Sequence, residues 1–231
     1  MNRNIASIVA QTKIFQGLSP KDYAWVLKAG RLKRTTAGER LFNQGDPSQV
    51  CYVILSGTVR LAQITPDGKR VIINIVGPGT QLGFLVALTG RPYPISAEVI
   101  EESDSLVWDA DVIRSLILKT PSQIMNVLEA FTDLIICLQR KVQQLSTERV
   151  EQRLAYSLLM LSDHLGKELD EGILINAPLT HRDLAEMSGT NIYSVSRILH
   201  RWKEECIVVT GRKRIVICSP EQLRGLTHRS S

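Results

Sequence analysis

The chain has 231 residues, 44% of them hydrophobic and 22% charged, which is length enough for one large or two modest globular domains and excludes disorder and collagen-like repetition. No apolar run approaches the roughly 18 residues of a membrane span, and the start MNRNIASIVAQTKIF has none of the marks of a secretory signal, so a cytoplasmic protein without a membrane partner is expected. The formal charge of +5 is unevenly placed: residues 1–190 hold 20 basic and 20 acidic side chains, residues 191–231 hold 8 and 3, and that surplus points the C-terminal segment at a polyanion.

Residues 31–108 read as many short strands divided by turn chemistry. Candidate strands are Val50–Leu55, Thr58–Ile64, Val71–Val76 and Leu106–Trp108, separated by Ser56-Gly57, Pro66-Asp67-Gly68 and Gly77-Pro78-Gly79. Their β-branched content suits a compact antiparallel barrel or roll. Between residues 98 and 111 stand six acids and no base, which reads as a solvated face or as a docking surface. The four cysteines, Cys51, Cys137, Cys206 and Cys218, are too widely spaced for a CxxC pair or a disulfide framework; they read as buried, reduced thiols, and no metal site is expected.

From Pro121, which suits the first turn of a helix, the period changes. Ile124, Leu128, Phe131, Ile135, Leu138, Val142 and Leu145 alternate spacings of four and three, the seam of a coiled coil. Val127 and Leu134 widen the stripe, so one edge is expected to pack on the roll while the seam meets the same helix of a second subunit; the alternative is a helix buried within its own chain. Ser146-Thr147 ends it. A further apolar-periodic stretch, Val150–Leu165, and a strand-like Ile173–Ile175 follow, which puts the domain boundary near residue 147.

The most informative segment is Thr180–Val209. Thr180 with Asp183 predicts a capping box opening a helix through Met187, Ser188-Gly189 a tight turn, and Thr190 the cap of a second helix over Asn191–Glu205. On that second helix Val195, Ile198, Leu199 and Trp202 share one face, leaving Ile192, Tyr193, Ser196, Arg197 and His200 on the other. Ile207–Val209, the turn Thr210-Gly211-Arg212-Lys213 and Arg214–Ile217 predict a hairpin with a basic tip, so the whole reads as a winged helix-turn-helix for double-stranded DNA.

With these elements in place, the chain resembles the Crp/Fnr family of transcription regulators along most of its length. In the roll the resemblance rests on Gly38-Glu39-Arg40-Leu41-Phe42 with Gly45-Asp46, and on Tyr52-Val53-Ile54 with Ser56-Gly57. In the C-terminal part it rests on Leu184-Ala185, Gly189, Val195-Ser196-Arg197-Ile198-Leu199 and the Ile207–Gly211 wing. It implies an α+β architecture: an N-terminal cyclic-nucleotide-binding-like antiparallel β-roll of jelly-roll type over residues 1–120, a dimerisation helix and hinge over 121–147, and a winged helix-turn-helix over 148–231. It also implies a homodimer on a palindromic site, with RNA polymerase as a further partner, and no enzymatic activity.

Arg197 lies in the first two turns of the recognition helix, where a guanidinium pairs with guanine O6 and N7, and Ser196 reaches a base edge or phosphate. Tyr193 stands where the family commonly has Glu, so the half-site is expected to differ from the familiar ones. Thr180, His181, Asn191, Arg212, Lys213 and Arg214 are candidate backbone contacts. The sensor side departs further. Nucleotide-binding members open the phosphate turn with Gly-Glu and close it with Arg-Ser/Thr-Ala; here the stretch Gly83-Phe84-Leu85 to Ile95-Ser96-Ala97 puts Phe and Ile at the two pairing positions, and Leu138 and Gln139 replace the hydroxyl residues expected on the helix. Gly83, Phe84, Leu85, Ile95, Ser96, Leu134 and Leu138 therefore outline a degenerate effector pocket, with Arg91 in the intervening loop a cation able to reach back into it. Cyclic AMP is not expected as a cofactor. Neither is an iron–sulfur cluster, since no cysteine precedes Cys51, nor haem, since His164, His181, His200 and His228 all lie C-terminal.

Overall fold

The apolar segments and the Gly- and Pro-rich joints between them become the following elements in the computed structural model, which describes residues 3–211 and 214–227. Two helices, α1 (Arg3–Gln11) and α2 (Pro20–Ala29), come first; Ser19 caps α2, its hydroxyl accepting from Asp22 N at 3.1 Å with Pro20 in the first turn. Strands β1 (Arg31–Thr35), β2 (Arg40–Phe42), β3 (Val50–Ile54), β4 (Thr58–Ile64), β5 (Arg70–Val76) and β6 (Gln81–Leu82) precede a short helix, α3 (Phe84–Thr89). Then come β7 (Ser96–Glu101), β8 (Ser103–Asp109), α4 (Ala110–Lys119) and the long α5 (Gln123–Thr147). One four-stranded sheet runs in the order β1-β8-β3-β6 and another in the order β2-β7-β4-β5.

Two compact units result. The first comprises the described residues up to Arg60 with Gly77–Gln139, the second Leu61–Val76 with the described residues from Arg140 on. The first has its core under α1, α2 and α4, where Phe15, Val26, Cys51, Val53, Phe84, Leu106, Trp108, Ile113 and Leu116 pack together. Trp108 is fully buried and donates its indole N–H to Val26 O at 2.9 Å, so burial of the ring leaves no donor unpaired.

Several expectations are corrected here. β8 is seven residues long, not the three apolar ones of Leu106–Trp108, because its register on β1, from Arg31↔Val107 to Thr35↔Ser103, carries Ser103 and Ser105 into the interior. α3 interrupts a region expected to be all strand; six residues between two glycines in the left-handed conformation, Gly83 and Gly90, are too few to show a helical period. Pro121 and Ser122 form a turn ahead of α5, which starts at Gln123. Of the four cysteines only Cys51 is buried, its thiol pushed up to about 12 by desolvation, while Cys137 and Cys206 are exposed. The acids of residues 98–111 are largely paired: Glu98 with Arg60 at 3.2 Å, Glu102 with Arg34, Asp109 with Arg31 at 2.7 Å and Asp111 with Arg114 at 2.6 Å.

In the second unit α6 (Val150–Leu165) leads into β9 (Gly166–Leu169), unforeseen in its polar sequence, and β10 (Gly172–Ile175). These are followed by α7 (His181–Ser188), α8 (Ile192–Glu204), β11 (Val208–Gly211), β12 (Arg214–Ile217) and α9 (Pro220–Thr227). The strands form one antiparallel sheet, β11-β12-β10-β9. Leu154, Leu158, Leu184, Val195, Leu199, Trp202, Val216 and Leu223 fill the space between sheet and helices. No helix among the described residues is long and apolar enough to cross a membrane.

Candidate nucleic-acid interface

α7 is opened by the predicted capping box: Asp183 N donates to Thr180 Oγ1 at 3.2 Å, and Thr180 N returns a bond to Asp183 Oδ2 at 2.9 Å. The helix closes on Gly189 at φ +61°, a conformation that favours glycine; a Cβ there would also stand 2.8 Å from Leu145 Cδ2. The cap of α8 is corrected. Thr190 belongs to the turn, its N–H donating to Ala185 O at 3.0 Å, and Asn191 is the cap, its Oδ1 accepting from Ser194 N at 2.9 Å. Thr180 and Asn191 thus spend side-chain oxygens on capping the starts of α7 and α8.

α8 has the two faces its sequence requires. Val195, Ile198, Leu199 and Trp202 are buried, while Ile192, Tyr193, Arg197 and His200 are exposed, Tyr193 by 87%. Arg197 makes no side-chain hydrogen bond or ion pair among the described residues and stands exposed. Ser196 faces the start of α7, its Oγ within hydrogen-bond distance, 2.9 Å, of His181 Nδ1. The wing strands run further than expected: Thr210 and Gly211, read as part of the turn, belong to β11 and pair with Ile215 and Arg214. Arg212 and Lys213 lie outside the described residues. Arg214 is ion-paired with Glu171, which ties that cation to the β9–β10 turn.

In the first unit Gly83 precedes α3 at φ +81°, and a Cβ on it would come within 2.8 Å of Val50 O. Phe84 is 2% exposed and packs against Phe15 and Trp108 with ring centroids 5.7 and 6.1 Å apart. Leu85 and Ile95 are half-buried, and Ser96 Oγ accepts from Gln44 N at 2.9 Å. The Arg91 carbonyl accepts from Ser48 Oγ at 2.7 Å, while its side chain is exposed. Leu134 and Leu138 stand on α5 at 43% and 47% exposure.

Residues 32–120 match the cyclic nucleotide-binding domain family and residues 152–226 the Crp-like helix-turn-helix domain. The chain is 26% identical over 216 residues to the CRP-like cAMP-activated global transcriptional regulator of Mycobacterium tuberculosis, covering 94% of this chain and 96% of that one. To the cyclic AMP receptor protein of Thermus thermophilus it is 28% identical over 198 residues, 86% and 88% of the two chains. Among solved structures, a CRP-family transcriptional regulator of Thermus thermophilus has the same fold with a TM-score of 0.71, at 23% identity over 86% of this chain and 97% of that one. The chain belongs to the Crp/Fnr family. It is a transcription regulator with a cyclic nucleotide-binding fold followed by a DNA-binding helix-turn-helix.

Two groups that steady this Crp/Fnr-family helix-turn-helix were not legible in the sequence. Arg153 on α6 donates from Nε to Ser188 O at 2.8 Å and from Nη2 to Gly189 O at 3.2 Å, clamping the turn between α7 and α8. Arg70 on β5 meets Glu186 of α7 through two hydrogen bonds, 2.7 and 3.2 Å, and Glu186 also takes Arg182 at 2.9 Å. Both are arginines in stretches that read only as an amphipathic helix and a strand. Their separation from the turn, 35 residues or more, carries no local signal.

Proposed function

We propose that the protein is a homodimeric regulator that reads an inverted-repeat DNA site through one α8 per chain, and that its roll is not switched by cyclic AMP or cyclic GMP. The observation that carries the reading is the outer face of α8, where Arg197 and Tyr193 are exposed beside the Ser196–His181 pair. Arg197 reads a guanine, Ser196 and Tyr193 contact neighbouring base edges, and the amides at the starts of α7 and α8 meet phosphates, joined by the basic wing. The second subunit is supported by α5: its seam residues, from Ile124 to Leu145, are all 39–64% exposed in the single chain. RNA polymerase is the further partner that a promoter-bound regulator requires.

Relatives of this chain are named as a cAMP-activated regulator and a cyclic AMP receptor protein. Here the position of the ribose-pairing carboxylate is held by Phe84, a core residue, and that of the phosphate-pairing arginine by Ile95, so neither the ribose hydroxyl nor the phosphate charge of the ligand has its partner at the expected place. Neither haem nor an iron–sulfur cluster is assigned to the roll, which offers no histidine and only Cys51. Selection of binding sites from random duplex DNA tests the dimeric reading: two inverted half-sites centred about one helical turn, roughly 34–36 Å, apart are expected, and an optimal site with a single unrepeated half-site would overturn it. Genome-wide occupancy in discrete peaks at promoters separates a regulator from an architectural protein, which would give diffuse coverage.

A further inference from the structure

Arg140 and Gln144 stand one turn apart on one face of α5, and Glu148, just past its end, donates its N–H to Gln144 O at 3.0 Å. With Tyr156 and Asp163 of α6 and Arg224 of α9 they line a cleft of about 510 Å3 within the second unit, a volume in the range of small-molecule sites. None of these groups belongs to the outer face of α8 or to the roll.

Three polar groups of the cleft, the Gln144 carboxamide, Glu148 Oε2 and the Arg224 guanidinium, make no hydrogen bond or ion pair among the described residues. Gln144 is only 3% exposed, yet its carboxamide has no hydrogen-bond partner among the described residues. Glu148 Oε2 is buried and likewise makes no hydrogen bond. The Arg224 guanidinium is exposed and carries neither ion pair nor hydrogen bond among the described residues. Arg140 lies over the Tyr156 ring, 5.9 Å from its centroid, with Nη1 3.4 Å from the hydroxyl. Native proteins satisfy nearly all buried polar groups with protein, water or ligand, so the buried Glu148 oxygen without a partner, in a cleft lined also by the Gln144 side chain, marks a place where something else binds.

The charges name the class of occupant. Two guanidinium groups and two carboxylates make the lining neutral as a whole. A bare anion would meet Glu148 and Asp163 unfavourably, a bare cation Arg140 and Arg224, whereas a molecule with both charges finds a partner for each. Leu159 and Met160 supply an apolar wall. We propose that this cleft binds a free α-amino acid with an apolar side chain. Its carboxylate pairs with Arg224 and Arg140, its ammonium group with Glu148 beside the Gln144 carboxamide, and its side chain rests on Leu159 and Met160. The site is separate from the effector pocket of the roll and independent of whether the roll binds anything.

Titration calorimetry of the full-length protein with L-leucine, L-methionine and L-phenylalanine tests this, with N-acetyl-L-leucine amide as the matched molecule lacking both charges. Saturable binding of at least one free amino acid, one per chain, and none of the amide is expected. Glu148→Gln and Arg224→Gln should each weaken binding about tenfold or more, the effect of removing one charge-assisted hydrogen bond. No binding of any of the three amino acids overturns the proposal, as does equal binding of the capped amide. If a variant is not folded by circular dichroism, the comparison of free amino acid with amide on the unaltered protein still decides. Gel shifts with the selected DNA site, run on the same preparation, report the DNA-reading function independently of this outcome.

Discussion

Replacing Ile135 and Leu138 together with Lys is expected to turn the dimer into a monomer. In the single chain Ile135 is 39% and Leu138 47% exposed, so a little under half of each side chain is left for a partner to cover. Full burial of such a side chain contributes about 1.5–3 kcal/mol, which puts the loss over four partly covered side chains in two subunits at about 2.5–5 kcal/mol. Four ammonium groups directed into the seam subtract more, because a charge taken from water without a partner costs several kcal/mol. A total of about 5 kcal/mol or above raises the dissociation constant more than about a thousandfold. Sedimentation velocity at micromolar concentration should then show a species near the chain mass of 25.8 kDa, with far-UV circular dichroism unchanged, since both positions lie on the surface of the single chain. Affinity for the inverted repeat should collapse with dimerisation. A double variant that sediments as an unchanged dimer would show that α5 uses another face and that the heptad spacing serves packing within the chain.

Arg197→Ala should cost about 1–3 kcal/mol at one base pair and relax the sequence preference there, whereas Lys213→Ala should weaken all sequences alike and lower the salt slope by about one; equal, sequence-independent losses measured by gel shift would remove Arg197 from base reading. Cyclic AMP and cyclic GMP should give no heat in calorimetry and no change in DNA affinity, and micromolar binding with a gain in affinity would mean that Arg91 or main-chain amides take the place of the missing pair. The roll should lose stability in acid. Asn43 holds the Asp46 carboxyl low through hydrogen bonds, the Thr36 N–H does so for Glu39, and Arg31 for Asp109. Groups whose folded values are depressed stabilise fully above the unfolded values near about 4 and stop doing so as pH falls through the folded ones. Melting temperature should therefore be flat from neutral pH to about 5 and fall below about 4, and Asp46→Asn should flatten that fall; an unaltered acid profile in the variant would exclude Asp46 as a contributor.

What the sequence alone determined about this protein is what forms over a few neighbouring residues. The capping box of Thr180 and Asp183, the αL turn at Gly189, the two faces of α8 and the heptads of α5 depend on contacts three to seven residues apart, and each is readable from spacing and residue type. The basic surplus after residue 190 could be read the same way, as a property of composition. Tertiary structure decided what those residues face. The sequence shows Phe where the family pairs a ribose, but only the packing of Phe15 and Trp108 around it makes Phe84 part of the core and not a vacant ligand position. Ser103 and Ser105 enter the interior because β8 pairs with β1 some seventy residues earlier, against the preference of serine for the surface. The Arg153 clamp on Ser188 and Gly189, the Arg70–Glu186 pair and the alignment of Gln144 and Glu148 with Arg224 all join groups from distant parts of the chain. Such partners are brought together by the burial of surfaces that no local period encodes, so their identity exists only once the chain has folded.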